Sequence, residues 1–184
     1  SLIEENGRAH FLTKRFDREN GRKIHMQTLC GMAHYDFRLK NGHSYEQAFN
    51  VMRRLRLPYS QAQEMFRRIV FNVVVRNQDD HTKNISFLMD SSGQWSLSPA
   101  YDMGFAYNPL GAWTATHQMS INGKFDNITR ADLLSLANAN NIKNASEIID
   151  QVCETTAGWP ELAKNCGVPQ KMIDGIVPHI LLSI

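Results

Sequence analysis

Asn77-Gln78-Asp79-Asp80-His81-Thr82-Lys83-Asn84 is an eight-residue polar run set between two strongly apolar segments. After it come Ile85-Ser86-Phe87-Leu88-Met89, the turn Asp90-Ser91-Ser92-Gly93, and Gln94-Trp95-Ser96-Leu97-Ser98. Apolar and polar residues alternating around a Gly-containing turn predict a β-hairpin. Before the run, Met65, Phe66, Ile69, Val70, Val73 and Val74 recur at helical spacing while Arg67 and Arg68 face the other way. That pattern predicts a core helix opening at Ser60, with Gln63 as its capping partner, and ending near Arg76. A core helix, a polar loop and a hairpin together hold short polar side chains on a rigid frame, which is where functional sites are placed.

Asp79 and Asn84 stand at the two ends of the loop, and Asp102 follows the second hairpin strand in Pro99-Ala100-Tyr101-Asp102-Met103-Gly104. A hairpin returns its end to its beginning, so Asp102 is expected beside Asn84. Asn84 and Asp102 would then offer neighbouring oxygen ligands, which suit Mg²⁺ and leave it room for phosphate. Asp79, across the loop, would be free to orient a hydroxyl nucleophile. This is the active-site logic of a protein kinase, D-x-x-x-x-N followed after a hairpin by a metal-binding Asp. Spacing selects Asp79, because Asp80 is one residue too close to Asn84. Two features depart from common kinases: Asn77-Gln78 stand where H-R precedes the catalytic Asp, and Met103-Gly104 follow the metal Asp in place of F-G.

Asp79-x-His81-x-Lys83-Asn84 with the later Pro99-x-Tyr101-Asp102 resembles the HipA family of bacterial serine/threonine kinases, toxins of type II toxin–antitoxin systems. Arg15-Phe16-Asp17-Arg18 and His117-Gln118-Met119-Ser120-Ile121-Asn122-Gly123-Lys124 add to the likeness, which covers essentially the whole chain. The resemblance implies a phosphatidylinositol-kinase-like fold, of which residues 1–184 would be the mainly helical C-terminal lobe. It implies ATP and Mg²⁺ as cofactors, Asp79 as catalytic base, and Asn84 and Asp102 as metal ligands. His81 and Lys83 would lie near the phosphates or hold the loop. Lys14, Phe16 and Asp17 match the hinge, where backbone groups meet adenine and an acidic side chain lies near ribose; Tyr101 is placed with them. Lys14 stands where another member has an acidic residue, a change that a backbone contact tolerates. The implied partners are a protein substrate, an aminoacyl-tRNA synthetase being the known kind, and a DNA-binding antitoxin, with nucleic acid reached only through that antitoxin. The family's Gly-rich loop and phosphate-binding Lys lie upstream of the hinge, so the chain is expected to be the C-terminal region of a longer protein and inactive by itself.

Two other classes compete with the kinase reading. Asp79, Asp80, His81 and Asp102 could bind a transition metal for phosphohydrolysis, although such sites call for two or more His on one metal and the loop has one. A non-catalytic module that docks an antitoxin is the other.

The rest of the chain sets bounds on these readings. Of the 184 residues, 42% are apolar and 21% charged, which excludes a disordered chain and a coiled coil. No run approaches the roughly 18 apolar residues of a membrane span. A net charge of +2 gives no electrostatic case for nucleic acid as the main partner. Cys30, Cys153 and Cys166 form no C-x-x-C and read as free thiols of a reducing cytoplasm. His25, His34, His43 and His179 read as ordinary core or surface histidines, and Arg53-Arg54-x-Arg56 as a solvated helix face.

A strand is expected over 10–16, a loop over 17–23 and a buried helix over 24–37. Ser44 with Gln47, Thr129 with Asp132, and Asn144 with Glu147 predict three more capped helices. Pro160 and Pro169 punctuate a helical tail. The expected architecture is one domain, mainly α with a small β-hairpin (α+β).

Overall fold

The computed structural model describes residues 1–184. Seven α-helices and nine short strands make up an α+β fold.

The chain begins with two small antiparallel hairpins, each turning on an Asn-Gly dipeptide. Strands β1 (Leu2–Glu5) and β2 (Arg8–Phe11) join through Asn6-Gly7. Strands β3 (Arg18–Glu19) and β4 (Arg22–Lys23) join through Asn20-Gly21. All four turn residues have left-handed φ, from 47° to 76°. A two-residue turn with φ > 0 at both positions matches the twist of the flanking strands, and Asn-Gly supplies it at least strain. The strand expected over 10–16 therefore lies earlier, and the loop expected over 17–23 is itself a hairpin.

The helix expected over 24–37 is mostly a strand. β5 (His25–Thr28) pairs antiparallel with β7 (Ser86–Met89), and only α1 (Leu29–Ala33) is helical. The Thr28 hydroxyl accepts from the Gly31 amide at 3.1 Å, which starts that helix late, and His34 ends it with φ of 56°. β7 pairs in turn with β8 (Trp95–Leu97) across the turn at Asp90–Gly93, forming the expected hairpin inside a three-stranded sheet ordered β5-β7-β8. A fifth pairing is parallel. β6 (His43–Ser44) lies beside β9 (Met119–Ser120), joining segments far apart in sequence.

Helix α2 (Tyr45–Arg54) opens on the Ser44–Gln47 capping box. Helix α3 (Tyr59–Val74) starts after Pro58, which takes the N-cap position, so Ser60 lies inside the first turn and caps nothing. Its apolar stripe is as the periodicity predicts: Met65, Phe66, Ile69, Val70, Val73 and Val74 are all buried. α4 (Arg130–Ala139) opens on a Thr129–Asp132 capping box. α5 (Ala145–Ala157) has no side-chain cap, because the Asn144 side-chain oxygen accepts instead from Gln63 at 2.6 Å. α6 (Trp159–Asn165), α7 (Gln170–Ile176) and a 3₁₀ turn at Val177–His179 complete the chain. No helix is long and apolar enough to cross a membrane.

Helix α3 is the axis of the core. It packs against α2 and α5, and Phe87 and Leu97 enter the same cluster from the sheet. Truncating one such residue, as in Phe66→Ala, is expected to cost about 3–5 kcal/mol. The polar run begins where this helix stops, so the candidate site is anchored directly on the buried core helix.

Candidate active site

The polar loop is pinned from both sides. At its start, Arg76 takes a left-handed φ of 51° and reverses the chain out of α3. The Ala106 amide then donates to the Arg76 carbonyl, and the Gln78 amide to the Ala106 carbonyl, both at 3.1 Å. At the other end, the Cys30 amide donates to the Thr82 carbonyl at 3.0 Å and the Leu29 amide to the Ile85 carbonyl at 2.8 Å. First-turn amides of a helix have no intrahelical partner, so α1 spends two of its orphan donors holding this loop.

Between these anchors the two adjacent aspartates part company. Asp79 points outward: its side chain is 48% exposed, and His81 Nε2 lies 3.9 Å from its carboxylate, beyond hydrogen-bond reach. Asp80 points inward and is 3% exposed. Its carboxylate accepts from the Tyr45 hydroxyl at 2.6 Å, from the Gln118 amide at 2.8 Å, and pairs with His117 Nδ1 at 2.9 Å. Burial and the Asp80 charge raise the Tyr45 pKa well above its ordinary value, so the phenol stays neutral and donates. Tyr45 in turn accepts from Asn72 Nδ2 at 3.0 Å, and Asn72 Oδ1 accepts from Asn77 Nδ2 at 2.9 Å.

Asn84 returns across the loop. Its Nδ2 donates to the Asp79 carbonyl at 2.9 Å. With its amino side so engaged, its carbonyl oxygen is the end left to meet a ligand. Asp102 lines the same narrow cavity as Asn84, together with His81 and Tyr101. Its side chain is exposed, and its φ of 55° is a left-handed conformation that Asp tolerates better than most residues. The free donor set is thus hard oxygen, an amide carbonyl and a carboxylate, and it fits Mg²⁺ held jointly with phosphate oxygens. A transition-metal cluster is not assembled, since no three His, Cys, Asp or Glu side chains converge and the Asp80 oxygens are taken up inside.

The remaining predicted residues fall on the rim. Tyr101 donates its hydroxyl to the Lys83 carbonyl at 2.5 Å, and its ring lies 5.8 Å from that of Phe16, so the segment around Phe16 lies against the loop through Tyr101. Lys83 places its ammonium 4.2 Å from the centre of the Phe37 ring, and the edge of His81 meets the same ring. Lys14 is exposed. Asp17 is buried, and its carboxylate is held by Arg15 at 2.8 and 2.6 Å and by Arg18 at 2.6 Å. Those arginines, Arg15 foremost, lower its pKa to about 2.

The sequence does not single out Tyr45, Asn72 or Asn77, and it offers Asp80 only as a mis-spaced rival to Asp79 or as one ligand of a transition-metal cluster. Asn72 was the available signal, as a short polar residue on the buried stripe of α3.

Comparison with known proteins gives the family of the chain. Residues 1–159 match the model of the HipA-like C-terminal domain. Y4dM of Sinorhizobium fredii is 30% identical over 175 residues, covering 90% of this chain and 42% of its own length. A Haemophilus influenzae protein is 32% identical over 103 residues, covering 50% of this chain and 29% of its own. Both carry names that mark them as candidate kinases. A chain of the Shewanella oneidensis toxin–antitoxin complex of HipA, HipB and operator DNA superposes with a TM-score of 0.66 at 21% identity, over 90% of this chain and 45% of that one. The chain therefore spans less than half the length of these relatives, and the structural likeness establishes a shared fold. A family match over 159 of 184 residues, on a fold that brings Asp79, Asn84 and Asp102 to one loop and its hairpin, makes this chain a member of the HipA-like C-terminal domain family.

Proposed function

We propose that the protein carrying this chain is an ATP-dependent serine/threonine protein kinase, the toxin component of a bacterial toxin–antitoxin pair, acting in the cytoplasm. The observation that carries the reading is the division within the loop. Asp79 is outward and its carboxylate accepts no hydrogen bond, with His81 Nε2 3.9 Å away; Asn84 is bonded back to the Asp79 carbonyl, and Asp102 opens into the same cavity as Asn84. The kinase-style names of the relatives, and the toxin–antitoxin setting of the structural neighbour, point the same way.

In this reading Asp79 accepts the proton of a substrate hydroxyl and orients its oxygen. Asn84 and Asp102 would hold Mg²⁺, which would neutralise phosphate charge while bound ATP supplies the transferable phosphoryl group. His81 and Lys83 flank the loop beside Phe37 and keep its shape. Phe16 and Tyr101 form an aromatic edge where a nucleotide base would lie, with the hinge backbone at Lys14–Asp17 as its polar side. Asp17, with its oxygens already committed to Arg15 and Arg18, fixes the hinge conformation before it meets any ribose. The protein partners of this reading are a Ser- or Thr-bearing substrate and a DNA-binding antitoxin.

The test uses the product of the complete reading frame with γ-labelled ATP and Mg²⁺. Label is expected on serine or threonine of a protein acceptor or of the kinase itself, and is expected to vanish in Asp79→Asn. Absence of Mg²⁺-dependent transfer from the wild-type protein, or phosphate released only to water, would overturn the assignment.

A further inference from the structure

The core helix α3 carries one buried polar side chain, Asn72, among its buried apolar residues. A buried amide destabilises a core unless it is bonded, and an apolar residue of similar size would pack there without that penalty. Asn72 is bonded at both ends of its amide. The hydrogen bonds run in one direction without a break. Asn77 Nδ2 donates to Asn72 Oδ1 at 2.9 Å, Asn72 Nδ2 to the Tyr45 oxygen at 3.0 Å, and the Tyr45 hydroxyl to Asp80 at 2.6 Å. At the far end Asn77 Nδ2 also reaches the Asp102 carbonyl at 3.4 Å. All four side chains are at least nine-tenths buried, at 1% to 9% exposure.

The two ends of this chain are the neighbours of the chemistry. Asp80 is next to Asp79, and its inward commitment sends the preceding side chain out. Asn77 holds the backbone of Asp102 itself. Four buried residues from α2, α3 and the loop thus connect the backbone that carries the proposed base to the backbone that carries the proposed metal ligand.

We propose that Asp80, Tyr45, Asn72 and Asn77 form a buried strut that fixes the position of Asp79 relative to Asp102, and that they are positioning residues for phosphoryl transfer. The proposal rests on the kinase reading above for its function, though the link itself is a matter of structure. Positioning of this kind acts on kcat, because a shift of about 1 Å between reacting groups can cost roughly 10²-fold in rate while the nucleotide still binds.

The experiment compares Tyr45→Phe, Asn77→Ala and the double variant in the product of the complete reading frame. Tyr45→Phe removes one hydroxyl and keeps the ring that fills the core. Each single variant is expected to lower kcat 10- to 100-fold with KM for ATP changed less than about threefold. The double variant is expected to be no slower than the worse single one, since cutting a strut twice does nothing further; multiplied losses would show two independent sites and refute it. Amide hydrogen exchange supplies a readout without catalysis. Tyr45→Phe should speed exchange at residues 78–84 and also at 101–104, with melting otherwise preserved. Faster exchange at 78–84 alone would break the link to Asp102 and sink the proposal. Propagation to both ends in a wild-type protein that transfers no phosphate would sink the kinase reading and leave the strut standing. If Tyr45→Phe fails to fold, Asn77→Ala is read in the reverse direction, from 101–104 towards 78–84, by the same criteria.

Discussion

Exchanging each carboxylate of the Asp79-Asp80 pair for an amide, one at a time, should produce opposite defects. In Asp79→Asn the side chain is half exposed and accepts no hydrogen bond from the protein, so nothing in the fold depends on its charge. Stability should stay within about 0.5 kcal/mol of wild type. Catalysis should not survive, because an amide accepts no proton: a general base contributes ~10²–10⁴-fold, or about 2.7–5.4 kcal/mol of barrier. In Asp80→Asn the carboxylate accepts from Tyr45 and the Gln118 amide and pairs with His117, all inside the core. One amide oxygen and one amino group cannot satisfy three donors. At least one hydrogen bond to the buried carboxylate is lost and its donor is left unpaired, a loss of about 2–4 kcal/mol for a group whose partner was charged. For a domain of this size that lowers the melting temperature by roughly 4–16 °C. The assay pairs thermal melting with labelled-phosphate transfer on both variants. The expected signature is a silent melt with dead chemistry for Asp79→Asn, and a large melting loss for Asp80→Asn. Near-full transfer by Asp79→Asn, or an Asp80→Asn melt equal to wild type, would show that the outward and inward roles have been misassigned.

Other perturbations test separate parts of the structure. Asp102→Asn keeps a residue that tolerates the left-handed φ of 55° while removing the charge, and it should weaken nucleotide binding at least tenfold more with Mg²⁺ than without, by titration calorimetry; equal losses would make Asp102 a structural residue. Asp17 has a folded pKa lowered to about 2 by Arg15 and Arg18, so its contribution to stability is full above the ordinary carboxylate value and is lost as pH falls through about 2. The gap in melting temperature between wild type and Asp17→Asn should therefore hold from pH 7 to 5 and shrink below about 4, and a gap that widens on acidification would refute this. Asp132 accepts from the Thr129 amide and hydroxyl and pairs with Lys124 at 2.8 Å, so Asp132→Ala should destabilise by about 1–2 kcal/mol in chemical denaturation. Expressed by itself, the 184-residue chain exposes Leu2, Ile3, Phe11 and Leu12 on the first hairpin and its exit; light scattering should show self-association that Phe11→Glu reduces.

What could be read from the sequence follows how far each residue's partner lies along the chain. The capping boxes at Ser44–Gln47 and Thr129–Asp132 were legible because donor and acceptor are three residues apart, and the hairpin at 86–97 because its turn and alternation are local. Asn144 has the same cap-like appearance, but its side chain is claimed by Gln63, 81 residues away, so the cap is not made. The strand β5 went unread for the same reason. His25–Thr28 is extended only because β7 lies beside it, and nothing within the segment announces that pairing. The two Asn-Gly turns are the opposite case, local signals written in the sequence at Asn6-Gly7 and Asn20-Gly21.

The site repeats this pattern in its energetics. The interval from Asp79 to Asn84 is legible because the contact between them, the Asn84 side-chain amide donating to the Asp79 carbonyl, is local. Spacing gave no role to Asp80, whose partners Tyr45 and His117 lie 35 and 37 residues away on opposite sides in sequence. A charge with no exposed surface must find its donors in the tertiary fold, so its role appears only when the core is assembled. The outward residues of the loop, which the proposed reading assigns to ligands, are the ones a motif can report; the inward ones, bonded to the rest of the chain, have to be found by tracing every buried donor and acceptor. In this protein the two kinds alternate within a single Asp-Asp-His, which explains why Asp79 was legible from its interval to Asn84 while the adjacent carboxylate was not.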